Sequence, residues 1–196
     1  MLSLFDNITA MIIAGSVLVI MLAMQQQAQR VAVERTLNYV GTRQSIDLGR
    51  WVQEDLANIG AGVAGNQQAL DVPRVNAEGL TREFTFQRKL TADAAAPVQV
   101  RYTLELVDSV DVRRSGGTET VRLYQLRRVA DGHTDGESAP RLTDFKIELL
   151  DSRGDEAASA QAARYVRVQF ASISHVFRDD DYIHEYHWAT TVPLRR

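Results

Sequence analysis

The sequence predicts an α+β protein, in which a long N-terminal helix, transmembrane and then amphipathic, packs on an antiparallel β-sheet domain. Three observations predict this. An uncharged apolar run lies near the N-terminus, a helical apolar period follows it, and the period then drops to two for most of the remaining chain.

From Ile8 to Met24 the chain reads ITAMIIAGSVLVIMLAM, flanked by Asp6 and Arg30 as the nearest charges. Counted from Leu4 to Met24, the run is long enough to cross a hydrocarbon core about 30 Å thick as a helix. The helical backbone satisfies its own polar groups, and the hydroxyls of Thr9 and Ser16 can bond to the preceding turn. A cleaved signal peptide would have a basic start and a small-x-small cleavage site. Here the start is Met1-Leu2-Ser3-Leu4, and Gln25 to Gln27 stand where small residues would be. A buried core helix would be shorter, so a retained anchor is expected. Gly15 and Ser16 offer a site where helices can approach closely in the membrane. Arg30 and Arg35 follow the run, which taken alone keeps that end cytoplasmic. The rule is weak for large domains, and the charges do not fix the side.

Residues 25–59 contain no Pro, and their glycines are Gly41 and Gly49. Leu37, Val40, Leu48, Val52, Leu56 and Ile59 recur at steps of three or four, with a gap around Gln44, and Trp51 widens the stripe. These residues are expected to pack against the sheet or a neighbouring subunit. Arg35, Arg43, Asp47, Arg50 and Asp55 are assigned to the other faces. Gly60 is expected to cap the helix in a left-handed conformation, and Gly41 is a possible break within it. The expected division is residues 1–60 for the helix and 61–196 for a β-rich domain.

The strand pattern begins with Phe84 and Phe86, then Val98 to Leu106, Val121 to Arg128, Phe145 to Leu149, Val166 to Phe170 and Tyr182 to Trp188. Loops are expected at Asn76–Gly79, Asp108–Thr118, Asp131–Pro140 and Asp151–Gln161. No helix of any length separates these strands, so the sheet is expected to be antiparallel, with one face on the helix.

The net charge of -3 gives no electrostatic footprint for nucleic acid, and the absence of Cys excludes disulfides, thiolate metal sites and a cysteine nucleophile. His184, Glu185 and His187 lack the HExxH spacing, and on a strand the two imidazoles point to opposite faces. Asp179-Asp180-Asp181, and Asp151, Asp155 and Glu156 around Gly154, lack EF-hand spacing and read as solvated acidic turns. Tyr102, Tyr124 and Tyr165 interleave with Arg101, Arg122, Arg164 and Arg167, which reads as aromatics inward and arginines outward. No nucleophile elbow, P-loop or dinucleotide fingerprint occurs. The expectation is therefore no catalytic residues, no metal, no cofactor, no small-molecule substrate and no nucleic acid.

Several phrases carry a resemblance. Residues 50–60 read RWVQEDLANIG, with Asp55-Leu56 ahead of Gly60. Tyr124-Gln125-Leu126-Arg127-Arg128 precedes Asp131-Gly132. Residues 142–151 read LTDFKIELLD with Gly154 after them, Val166 to Phe170 follow, and the chain ends near Thr190-Thr191-Val192-Pro193-Leu194-Arg195. In this order, over nearly the whole chain, they resemble the type IV pilin fold, and more narrowly the PilW-type minor pilins and GspJ-type minor pseudopilins. Leu4 and Phe5 stand at the family's processing junction. Family members usually carry a Gly, then Phe, then Glu four residues on; here Leu4 replaces the Gly and Thr9 the Glu. Some subunits that cap such assemblies lack that Glu.

The resemblance implies a structural subunit of the inner membrane, single-pass, with its β domain periplasmic or extracellular. It would assemble with other pilin-like subunits in a pilus or secretion-type filament, at its initiating or tip complex. The other reading is a single-pass anchor whose β domain binds a partner or ligand with no filament. Both place residues 4–24 in a lipid bilayer.

Overall fold

The computed structural model describes residues 2–63, 68–89, 94, 96–114, 117–173 and 185–194. It has an α+β layout: one helix, α1 (Leu2–Ala57), then strands β1 (Arg74–Val75), β2 (Thr81–Arg88), β3 (Val98–Arg114), β4 (Gly117–Ala130), β5 (His133–Glu137), β6 (Leu142–Leu150), β7 (Tyr165–Ile173) and β8 (Glu185–Pro193). The chain divides into two compact units, Met1–Val40 and Gly41–Arg196.

α1 is unbroken at Gly41. Its hydroxyls do not interrupt it, because Thr9 Oγ1 donates to the Phe5 carbonyl and Ser16 Oγ to the Ile12 carbonyl, both at 2.8 Å. The helix ends where Gly60 takes a φ of 78°. The Gly60 N–H turns to the Gln87 carbonyl at 2.9 Å, so the cap also ties the helix end to β2.

The eight strands form one antiparallel sheet in the order β1-β2-β3-β4-β6-β7-β8, with β5 paired to β4 off this path. β4 and β6 share one register position, Tyr124 with Leu142. Beyond it, the buried Thr81 hydroxyl of β2 accepts the Ile147 N–H of β6 at 2.9 Å and supplies a partner there. The core draws on both element types. Leu48, Val52, Leu56 and Ile59 of α1 join Phe84, Phe86, Tyr102, Leu126, Phe145, Val166, Val168 and Phe170.

Two expected loops are strand instead. Most of Asp108–Thr118 belongs to the β3–β4 hairpin, where Val110 pairs with Val121 and the Thr120 hydroxyl donates to Asp111 Oδ1 at 2.7 Å. Leu106 and Val107 are exposed where the register shifts between Leu106 and Asp108. In this part of the hairpin Val110 and Val112 share one face, with Val112 buried, and Ser109 and Asp111 lie on the other; the alternation is short while the backbone ladder persists. Asp131–Pro140 contains β5. Asp131 and Gly132 adopt φ of 51° and 79°, the two positive values a tight hairpin turn requires. Asn76–Gly79 and Asp151–Gln161 are turn and loop as expected. Tyr182, His184 and Asp179 to Asp181 lie outside the described residues, and the last strand starts at Glu185.

Candidate functional site

Two features of α1 stand out. The first is its apolar N-terminal part. Its most apolar stretch is exposed among the described residues, and it is long and apolar enough to cross a membrane and compatible with membrane anchoring. Phe5, Met11, Ile12, Val17, Val19 and Met21 are all exposed. Leaving so many large apolar side chains uncovered is unfavourable in water, by about 1.5–3 kcal/mol for each that could otherwise be buried. Leu4 is helical and its side chain is outside the described set. A Cβ added at Gly15 would meet nothing within 4 Å, so the position is open on the surface of this helix.

The second feature lies near the helix end. Leu48, Val52, Leu56 and Ile59 are buried, Trp51 and Leu37 are half-buried, and Val40 is exposed. The stripe is thus divided between core and surface. Asp55, assigned from sequence to another face, is instead 2% exposed. It sits three residues after Val52 and one before Leu56, inside the apolar stripe.

Its partners come from three strands. Arg128 of β4 donates through Nε to Asp55 Oδ2 at 2.7 Å and through Nη2 to Oδ1 at 3.2 Å. Arg88 of β2 donates through Nη1 to Oδ1, and the Tyr102 hydroxyl of β3 donates to Oδ2 at 2.5 Å. Arg88 and Arg128 are both buried, and Arg128 also reaches the half-exposed carboxylate of Asp135 on β5. One buried carboxylate therefore holds two guanidiniums and a phenol, with bidentate geometry to one of them. Burial pushes the Tyr102 phenol well above its ordinary pKa, and the charge and hydrogen bond of Asp55 add to this. For Arg128, burial opposes the charge, but the hydrogen bond and charge of Asp55 outweigh it and raise the pKa.

The helix is also keyed to the sheet by shape. A Cβ on Gly49 would stand 2.6 Å from the Trp188 ring, and one on Gly136 would stand 2.8 Å from Trp51. Trp188 stacks on Phe170 with centroids 5.1 Å apart, and Trp51 meets Tyr102 edge-on at 5.9 Å. The Ser45 and Ser172 hydroxyls are 2.7 Å apart. They line a shallow recess with Gln44, Ser138 and Arg141, in whose wall no carboxylate or imidazole stands among the described residues.

On the other sheet positions, Arg101 faces Glu83, Arg127 bridges Glu105 and Glu137 at 3.0 Å each, and Arg167 faces Glu148. Tyr102 and Tyr124 are buried, whereas Tyr165 is exposed. Asp151 Oδ1 accepts the Arg153 N–H at 2.7 Å and the Asp155 N–H at 3.1 Å, closing a turn on itself. The Arg153 bond leads the causes that lower its pKa. His187 is exposed beside Glu185. Among the described residues, no three His, Cys, Asp or Glu side chains gather as a metal site. No protein-family model matches the chain, and comparison with curated proteins and with solved structures gives no significant match.

Proposed function

We propose that this chain is a structural, non-catalytic subunit of the pilin-like type, a minor pilin or minor pseudopilin. In this reading residues 4–24 anchor it once in the inner membrane and the sheet domain is periplasmic or extracellular. Its partners are the bilayer and other pilin-like subunits, and it works in an initiating or tip complex without cofactor, nucleic acid or small-molecule substrate. The observation that carries the reading is the two-part use of one helix. The N-terminal part is apolar and exposed among the described residues, and the C-terminal part is core to an antiparallel sheet. An uncovered apolar helix suits lipid and the helices of neighbours.

Leu4 and Thr9 favour the second reading, a permanent single-pass anchor whose β domain binds a partner without a filament. They replace the Gly and Glu of the family pattern, and the Thr9 hydroxyl is taken by its own helix. Intact mass and N-terminal sequencing of the protein from its native membranes separate the two. A mature chain beginning at Phe5, especially N-methylated, supports the filament pathway. A chain that retains Met1 supports the static anchor.

A further inference from the structure

We propose that the buried Asp55–Arg88–Arg128–Tyr102 cluster is an axial lock, which fixes the register of α1 on the sheet and prevents the helix from sliding by a turn. The inference concerns Gly41–Arg196 alone and holds whichever functional reading is right.

Apolar packing is a poor judge of axial register here. Leu48, Val52 and Leu56 are spaced by four residues, and all three are buried. A slide of one turn, about 5.4 Å, would set Leu48 where Val52 was and Val52 where Leu56 was. Aliphatic side chains exchange with aliphatic ones at modest cost. The cluster does not repeat. One carboxylate on the helix meets two guanidiniums and one phenol from β2, β3 and β4, and all four side chains are buried. A one-turn slide would put Trp51 or Ile59 at the place of Asp55 and take the shared carboxylate away from Arg88, Arg128 and Tyr102, with Arg128 keeping the half-exposed Asp135. Fixing register is the best-attested role of buried polar groups that break an apolar repeat. Gly49 under Trp188 works in the same sense, since its neighbours one turn away, Ser45 and Gln53, both carry side chains. The consequence is mechanical: an axial load on α1 is passed to three strands at one point.

The chain has no cysteine, so an engineered pair is the sole disulfide it can form. The 2.7 Å between the Ser45 and Ser172 hydroxyls marks the native register. Ser45→Cys with Ser172→Cys reports that register under copper-phenanthroline oxidation, and Gly41→Cys with Ser172→Cys reports a slide of one turn. In the full-length protein in detergent, the 45–172 pair alone should cross-link. With Asp55→Leu, Arg88→Met and Arg128→Leu, and Trp188→Leu to relieve the contact over Gly49, both pairs should cross-link, whereas Trp188→Leu alone should keep the 45–172 pair. If that variant keeps its sheet circular dichroism and only the 45–172 pair closes, packing sets the register and the proposal fails. Should it not fold, moving the acid decides. Trp51→Asp with Asp55→Ala, in the Trp188→Leu background, should draw the helix by one turn and switch cross-linking to the 41–172 pair, and persistence of the 45–172 pair would overturn the lock.

Discussion

Asp55 is the residue on which the helix end depends. Its burial is tolerable because both carboxylate oxygens are filled by Arg88, Arg128 and Tyr102. Asp55→Ala would take the shared carboxylate from two buried guanidiniums, Arg128 keeping the half-exposed Asp135, and should cost about 3–5 kcal/mol in denaturant unfolding of the full chain. The phenol gives a pH signature. The folded state holds the Tyr102 proton more tightly than an unfolded chain, whose tyrosine titrates near the ordinary 10.0. Its contribution to stability is therefore full below that pH and is lost as the pH rises past it. In an alkaline titration followed by tyrosinate absorbance, this ring should stay un-ionised through pH 10.0 and titrate only with unfolding. Tyr102→Phe should remove that delayed step. The cluster was partly legible in the sequence. Asp55 lies between Val52, Leu56 and Ile59 on one helical face, Arg88 continues the inward parity of Phe84 and Phe86, and Arg128 that of Tyr124 and Leu126. Reading each charge as solvated hid a pattern that strand parity already carried.

At the level of elements, the helix and six of the strands follow from periodicity, because each places an apolar face on a common core. The outer part of the β3–β4 hairpin, β1 and β5 do not: the hairpin offers the short pair Val110 and Val112, β1 is two residues long, and β5 has no apolar face to pattern. Their order comes from backbone pairing and, for β5, from the Asp131-Gly132 turn. The glycines of the interface were visible as residues and silent about their purpose. Gly49 leaves space for Trp188, and Gly136 leaves space for Trp51. Gly49→Ala drives a Cβ into the stacked indole and should destabilise the protein by about 1–3 kcal/mol in the same unfolding assay, as overpacking does. Trp188→Leu in the Gly49→Ala background should recover part of that loss, because the ring is what the new methyl meets. Because alanine is the better helix former by about 1 kcal/mol, equal destabilisation by Gly49→Ala with and without Trp188 would mean that the methyl meets something other than this ring.

For the whole molecule, the proposed function makes the exposed apolar part of α1 an association surface within a bilayer. Gly15 is open, so Gly15→Ile should leave unfolding of the sheet domain unchanged while reducing co-purification with partner subunits. A variant that assembles as well as the parent would remove Gly15 from the packing surface. The most direct measurement is photo-cross-linking in intact cells from a reactive amino acid at Val17, which is exposed on the apolar helix. The account expects the chain in the membrane fraction, with adducts to small proteins that share its plan of apolar helix followed by strands. Adducts to lipid alone, or recovery of the chain from the soluble fraction, would contradict it.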